Sequence, residues 1–189
     1  MPSSAPSTFS VRQVMRRFRR SRRGSAAVEF ALVAPVFFAL LFAIIETAIV
    51  FFAGQVLETI TQNSARMILT GQAQGAALTQ AQFLNNVVCP QIPALFTCAN
   101  IHVDVENYQS SFSSVVINSQ IDASGNFINN MKYCPGNAGN IVVVRLFYEW
   151  PLFVTGLGYN IANLTGNMRL LSATAAFKNE PFLASPSSC

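Results

Sequence analysis

The sequence predicts an α+β protein whose N-terminal transmembrane helix continues into an amphipathic stem helix, which packs on an antiparallel, disulfide-braced β-sheet. Three observations lead to this architecture: one uncharged apolar segment, helical spacing of apolar residues after it, and alternating strand patterns with four cysteines beyond. Only 11% of the 189 residues are charged and 51% are hydrophobic. Because disordered chains lack such apolar content, this composition excludes a disordered protein.

The positive charge of the chain lies before the apolar segment. Residues 1–24 carry seven arginines and no acid (+7), while the other 165 residues carry 5 basic and 8 acidic groups (−3), which gives the net charge of +4. Such a cluster of arginines is typical of a nucleic-acid-binding arm, a membrane-surface patch or the cytoplasmic flank of a membrane helix. We favour the flank, with no nucleic-acid partner, because an apolar helix follows directly. The seven are Arg12, Arg16, Arg17, Arg19, Arg20, Arg22 and Arg23.

The apolar segment predicts one membrane span. Residues 30–45 (FALVAPVFFALLFAII) carry no charge, but as a helix they measure only about 24 Å against a hydrocarbon core of about 30 Å. The span therefore extends past Glu29 or Glu46, and we place it at 25–53. Pro35 is tolerable in a membrane helix and predicts a kink, and Glu46 is predicted to be an interfacial anchor or a second assembly contact. The arginines place the N-terminus in the cytoplasm and the C-terminal part in the periplasm, as in a single-pass inner-membrane protein.

Small residues lie between the arginines and the apolar segment, which is the reverse of a secretory signal peptide. A cut after Gly24 would remove the charges and leave the hydrophobic helix on the mature chain, as in a prepilin leader. The stretch RRGSAAVEFALVAPVFFALLFAIIE resembles the N-terminal signature of the TadE/TadG family, the pseudopilins of the tight-adherence (Flp) pilus system. Pro35 and the closing Glu46 match that signature as well.

The resemblance implies roles for four of these residues. A prepilin peptidase would cut between Gly24 and Ser25, and Phe30 matches the aromatic residue that follows the family's glutamate. Glu29 would pair with the new α-amino group of an adjacent subunit and set the axial register. A charged side chain in the membrane costs roughly 2.5–3.5 kcal/mol on insertion scales, so Glu29 needs such a reason; the alternative is that it snorkels to the headgroups.

The exported part is predicted to begin with helices. Apolar residues recur at helical spacing to about Thr70, and Gly71 is expected to end this stem helix. A second helix is predicted at 77–88, so residues 54–88 form the helical part. The predicted apolar stripe is Ile49, Ala53, Val56, Ile60 and Met67, with Gln55, Glu58, Gln62 and Arg66 on the opposite, wet face.

Residues 89–189 are predicted to form the β-rich domain. Residues 101–106 alternate apolar with polar, residues 112–121 are rich in Ser, Val and Ile, and residues 140–150 and 169–178 complete the strand patterns. Residues 122–126 predict a turn. We predict that the aromatic residues Phe147, Tyr148, Trp150 and Phe153 belong to the core; the alternative is an exposed contact face. A stem helix on an antiparallel sheet agrees with the pilin-like plan that the resemblance implies.

Four cysteines follow the membrane segment, on the side where disulfides form. We favour a Cys89–Cys98 bridge, because it would brace the loop 90–97 and contribute about 2–3 kcal/mol in the entropic interpretation. Cys134 and Cys189 form the remaining pair, unless Cys189 stays free. Without a CxxC motif and with a single histidine, a metal site or redox pair is poorly supported.

The sequence offers no catalytic set, and no cofactor is expected. His102 is predicted to be a polar residue on a strand face, and no GxSxG, Walker A or Rossmann glycine pattern occurs. We therefore predict a pseudopilin of pilus assembly or adhesion that is not an enzyme. Its partners would be the prepilin peptidase, other pilins and pilus assembly proteins. The alternative is an uncleaved single-pass protein with a periplasmic ligand-binding domain.

Overall fold

The fold is that of a computed structural model, which describes residue 16 and residues 24–108, 111–154 and 159–183. Six of the seven N-terminal arginines and Cys189 lie outside these described residues. The chain divides into two compact units, one ending at Ile44 and the other beginning at Ile45.

Helix α1 spans Ser25–Leu69 and confirms the predicted continuous helix. The helix runs through Pro35 and ends close to the expected position. Gly71 has φ +76° and donates its N–H to the carbonyl of Ile68 at 3.0 Å. A Cβ at Gly71 would stand 2.3 Å from the ring of Phe182. Glycine is therefore required here both by the left-handed backbone and by the close packing of Phe182.

The second half of α1 buries one face against the sheet. The prediction for Ala53 and Ile60 is confirmed, but Ile49 is exposed and the adjacent Val50 is buried instead. The buried face is thus rotated relative to the predicted apolar stripe. It includes two small polar residues, Thr61 and Ser64, which the hydrophobic pattern did not count. Its members are Val50, Ala53, Leu57, Ile60, Thr61, Ser64, Ala65 and Ile68. The Thr61 hydroxyl donates to the carbonyl of Leu57 at 2.8 Å, so its burial leaves that donor satisfied.

The predicted helix at 77–88 begins later and is less regular. After a short helix α2 (Gln72–Gly75), helix α3 spans only Gln80–Phe83 and continues as a π-helix over Leu84–Val88 and a 3-10 turn over Cys89–Gln91. Thr79 starts α3 with a capping box: the Gln82 N–H donates to its hydroxyl at 3.3 Å, and its own N–H donates to the Gln82 side chain at 2.9 Å. This reciprocal cap fixes the start of α3 at Gln80, three residues beyond Ala77.

Three strands form one antiparallel sheet in the order β1-β2-β3. Strand β1 spans Ile101–Tyr108, β2 spans Ile141–Pro151 and β3 spans Met168–Lys178. These bounds agree with three of the predicted strands. One face of the central strand joins the core with α1; its members are Val142, Val144, Leu146, Tyr148 and Trp150.

Two predictions for the β-rich part are wrong. Residues 112–121 contain no strand: Phe112–Ser114 is a 3-10 turn, and Val116 and Ile117 are exposed. The Ser111 hydroxyl accepts the Ser113 N–H at 3.3 Å, because serine side chains compete with the backbone for hydrogen bonds. The aromatic residues Phe147, Tyr148 and Trp150 are buried as predicted, whereas Phe153 is 85% exposed.

The predicted disulfide between Cys89 and Cys98 is present, with the two Cα atoms 5.6 Å apart. It closes the loop between the 3-10 turns Cys89–Gln91 and Cys98–Asn100. Cys134 is also disulfide-bonded. Because Cys189 lies outside the described residues, the pairing of Cys134 with Cys189 stays a prediction.

Candidate processing and assembly site

Gly24 lies immediately before the first residue of α1. Gly24 is half-buried, and a Cβ placed on it would meet no described atom within 4 Å. Ser25 then begins the helix. Glycine has no Cβ to clash when a backbone enters a narrow cleft, so its position at the helix start is compatible with cleavage there.

Glu29 and Phe30 lie in the second turn of α1, on the exposed surface of this helix. Phe30 is 69% exposed, and Glu29 has no hydrogen-bond or ion-pair partner among the described residues. An unpaired carboxylate on an apolar helix is costly in a membrane, so a positive partner would stabilise it there.

The helix around these residues is apolar on all sides. From Ala26 to Ile45 no side chain is buried, and Pro35 is exposed like its neighbours. The helix is long and apolar enough to cross a membrane, with a mean hydropathy of 2.6 in its most apolar window. A helix that is hydrophobic all round requires an apolar environment, which a bilayer or other apolar helices provide.

Glu46 occupies a different environment from Glu29. Its side chain is only 8% exposed, and its carboxylate accepts hydrogen bonds from the backbone N–H groups of Phe153 and Val154, the latter at 3.1 Å. The sequence suggested an interfacial anchor or an assembly contact, and gave no sign of these partners, because they are backbone groups more than a hundred residues away. Glu46 thus bonds to the backbone that follows β2 in its own chain.

The described part of the C-terminal domain contains a buried ion pair that the sequence analysis missed. Arg145 on β2 donates to the Asp104 carboxylate on β1 through two nitrogens, at 2.7 and 2.9 Å, and both side chains are buried. The Lys132 N–H donates to the other Asp104 oxygen at 2.8 Å. A single arginine within the apolar strand VVVRLFYEW was the available signal, since a buried charge requires a partner.

His102 lies beside this pair on the same face of the sheet, as predicted for a polar strand residue. Its ring contacts Phe127, with centroids 4.8 Å apart, and its Nε2 lies 3.8 Å from the Glu149 carboxylate. Burial lowers the pKa of His102 below 6.5, and the Glu149 charge opposes that shift. Among the described residues no group of three or more His, Cys, Asp or Glu side chains could hold a metal ion.

Comparison with known proteins gives a family match for one part of the chain. Residues 24–66 match the family described as TadE-like protein. No curated protein and no solved structure matches the chain. The match begins at Gly24 and includes Glu29, Phe30, Pro35 and Glu46.

Proposed function

We propose that this chain, a TadE-family protein of the tight-adherence pilus system by residues 24–66, is a membrane-anchored minor pilin or pseudopilin. In this role it is processed by a prepilin peptidase and acts in pilus assembly or adhesion. The observation that carries the proposal is Glu29, which is exposed, has no partner among the described residues, and lies five positions after Gly24 at the start of a long apolar helix.

Processing is the first step of the proposal. Cleavage between Gly24 and Ser25 on the cytoplasmic side removes the arginines and creates a new α-amino group at the start of α1. The mature chain then carries a net charge of −3 before that amino group is counted. The arginines thus act as a topology signal and take no part in the mature protein.

Assembly uses the new amino group. The Glu29 carboxylate pairs with the α-amino group of Ser25 in a neighbouring subunit, and this pair sets the axial register between two helices. Opposite charges attract strongly where the surroundings exclude water, so an apolar helix bundle favours this one pairing over a shifted one. Small residues at Ala26 and Ala27 allow neighbouring helices to approach closely.

The first experiment measures the intact mass of the chain purified from membranes. A mature N-terminus at Ser25 is expected in a strain with an active prepilin peptidase, and the full chain in a strain without it. Recovery of residues 1–24 on the purified chain in the peptidase-positive strain would show that the chain is an uncleaved membrane protein. The same mass reports the number of disulfides and any N-methylation.

The second experiment separates the role of Glu29 from processing. Glu29→Ala is expected to be cleaved normally but to be lost from complexes cross-linked in intact membranes. Glu58→Ala is the matched control, because Glu58 lies on the wet face of the stem and its carboxylate accepts only from Gln62, at 3.2 Å. If Glu29→Ala is recovered in the same complexes as the control, the register role is wrong.

A further inference from the structure

Strand β3 lies at one edge of the sheet, and the middle of its outer edge is unpaired. The Leu170 N–H donates away from β2, to the Asn163 side chain at 2.7 Å. The Glu180 N–H also donates away from β2, to the Leu69 carbonyl at 3.0 Å. Alternate residues of a strand direct their backbone groups to the same edge, so the middle residues of β3 face outward as well. Their outward N–H and C=O groups have no partner among the described residues: Ser172, Thr174 and Ala176.

This free edge carries none of the features that prevent pairing with another chain. Natural edge strands are protected by lysines, prolines or bulges. The three residues of the free edge are small, uncharged and exposed, and β3 pairs with β2 in an unbroken register. The opposite edge of the sheet is covered, because the Gln80 side chain donates to the Val103 carbonyl and residues 132–134 pair with Val105. An added strand would therefore find its place at β3.

A groove of about 520 Å³ lies between the free edge of β3 and the last turns of α1. Ala65 and Leu69 of α1 and Ala175 and Phe177 of β3 supply its apolar lining. Arg66 lines the same groove and has no ion-pair partner in the described part of the chain. Because side chains alternate between the two faces of a sheet, a strand added to β3 would direct every second side chain into this groove.

One segment of the chain has the composition of a strand but no strand partner. Residues 115–119 (VVINS) lie in the stretch 112–121 for which the sequence predicts a strand, and Val116 and Ile117 are 62% and 60% exposed. The carbonyls on either side of Ile117 accept from side chains of their own chain, at 2.9 and 3.2 Å. The N–H and C=O groups of Ile117 itself have no partner within the described ranges. This segment therefore also presents a free backbone edge.

We propose that residues 115–119 of one copy of this chain add to the free edge of β3 in a second copy, antiparallel and with Ile117 opposite Thr174. In this register the free backbone groups of Ile117 and Thr174 satisfy each other, and their β-branched side chains form a favourable cross-strand pair. Val116 then lies beside Ala175, so its exposed side chain enters the groove and meets the apolar lining. Neither edge carries a charge, so no like charges meet in the pairing.

The proposed contact joins two different surfaces of the same chain. A contact of this kind leaves β3 of one copy and residues 115–119 of the other copy unoccupied, so further copies can follow. A contact of β3 with β3 would instead be self-complementary and end at two copies. The inference concerns the C-terminal domain alone and does not rest on cleavage after Gly24 or on the pairing of Glu29. Its failure would therefore leave the proposed function untouched.

Thiol cross-linking in intact membranes tests the register. Two differently tagged full-length chains are co-expressed, one with Thr174→Cys and the other with Ile117→Cys, and a short bismaleimide is added. Ser124→Cys is the matched control for Ile117→Cys, because Ser124 is exposed in a turn outside the segment 115–119. A product that carries both tags is expected with Ile117→Cys and is expected to be lost with Ser124→Cys.

Two outcomes of this experiment would overturn the proposal. Equal amounts of product from Ile117→Cys and Ser124→Cys would show random collision of the chains. Product formed only between two tagged Thr174→Cys chains would show that β3 pairs with β3.

A charge in the groove provides the second test. Val116→Lys, introduced into the Ile117→Cys chain, is expected to lower the cross-linked product about tenfold, because the ammonium group would lose water beside Arg66. Phe112→Lys is the matched control and should leave the product unchanged, since Phe112 is 58% exposed and lies outside the paired segment. Both positions are exposed, so neither lysine disturbs the fold of its own chain. An undiminished product with Val116→Lys, or an equal loss with both lysines, would contradict the proposed pairing.

Discussion

The first half of α1 is much more apolar than the second, and only the second half carries buried side chains. From Ala26 to Ile45 no side chain is buried, whereas from Glu46 to Ile68 a buried residue recurs every three or four positions. Each half also contains a glutamate. Glu29 has no partner among the described residues, whereas Glu46 is buried and its carboxylate accepts hydrogen bonds from the backbone after β2. The second half of α1 therefore packs on its own domain.

This difference shows that composition and the pattern of burial change together along α1: the first half is apolar at nearly every position, whereas a helix that faces a single sheet needs only one apolar stripe. It also shows that two glutamates with similar neighbours in the sequence can have different surroundings in the fold. Among the described residues, only Glu46 has a hydrogen-bond partner.

The largest contrast is expected between equivalent leucine substitutions in the two halves. Leu57 is fully buried in the core, so Leu57→Ala should lower the free energy of unfolding of the C-terminal domain by about 2–5 kcal/mol through lost burial and a residual cavity. Leu40→Ala, at an exposed position in the first half, should leave it unchanged. Trp150 is the single tryptophan and is buried, so its emission during urea unfolding in detergent measures both.

The comparison would fail if the two leucine variants lost similar stability. Such a result would mean that the side chain of Leu40 contributes to the stability of the C-terminal domain. Equal losses would therefore contradict the division of the chain at Ile45.

The end of the packed half supplies a second test. Gly71→Ala should lower the free energy of unfolding by about 2–4 kcal/mol, because the added Cβ strains a left-handed backbone and collides with the ring of Phe182. Gly75→Ala is the control, since a Cβ there meets no atom within 4 Å and its φ is not positive. Urea unfolding followed by Trp150 emission applies to both variants. A Gly71→Ala chain as stable as Gly75→Ala would show that the helix end can rearrange freely.

The two glutamates give a smaller contrast of the same kind. Glu46→Ala should cost about 1–3 kcal/mol of domain stability, because the N–H groups of Phe153 and Val154 lose their acceptor. Glu29→Ala should cost nothing in the same measurement. If Glu46→Ala is as stable as Glu29→Ala, water replaces the carboxylate as the acceptor of these N–H groups. The hydrogen bonds to Glu46 then do not stabilise the domain. Hydrogen exchange of the Val154 amide would then be fast in the unchanged chain as well.

Local patterns predicted most of the fold. The continuous helix, its end at Gly71, the three strands and the Cys89–Cys98 bridge all depend on residues close in sequence. The family signature at residues 24–66 is likewise a local pattern. Gly24, Glu29 and Phe30 could therefore be singled out from the sequence alone, although their roles remain predictions.

Features that depend on distant partners were missed or placed wrongly. The Asp104–Arg145 pair requires the register between β1 and β2, which alternation within one strand does not specify. Phe153 was assigned to the core because strand alternation was extended beyond the end of β2 at Pro151. The helix stripe was placed one position too early at Ile49, since the buried face includes polar residues whose hydrogen bonds are satisfied within the fold.

The smallest effect is expected from His102, on the sheet face opposite α1. It tests whether apolar packing alone sets the stability of the unit that begins at Ile45. His102 has a pKa lowered by burial, with Glu149 opposing the shift. Below pH 6.5 the unfolded chain therefore binds a proton at this residue more readily than the folded chain does, so stability falls as the pH decreases. Above that pH both states are neutral at His102 and the effect disappears.

His102→Gln removes this titration, so its free energy of unfolding should decrease less than that of the unchanged chain between pH 7 and about 5.5. Urea unfolding followed by Trp150 emission at several pH values gives the two slopes. The range stops above the ordinary pKa of carboxyl groups, which limits the contribution of Glu149 itself. Identical slopes would mean that His102 is equally solvated in both states, and that its contact with Phe127 does not desolvate it.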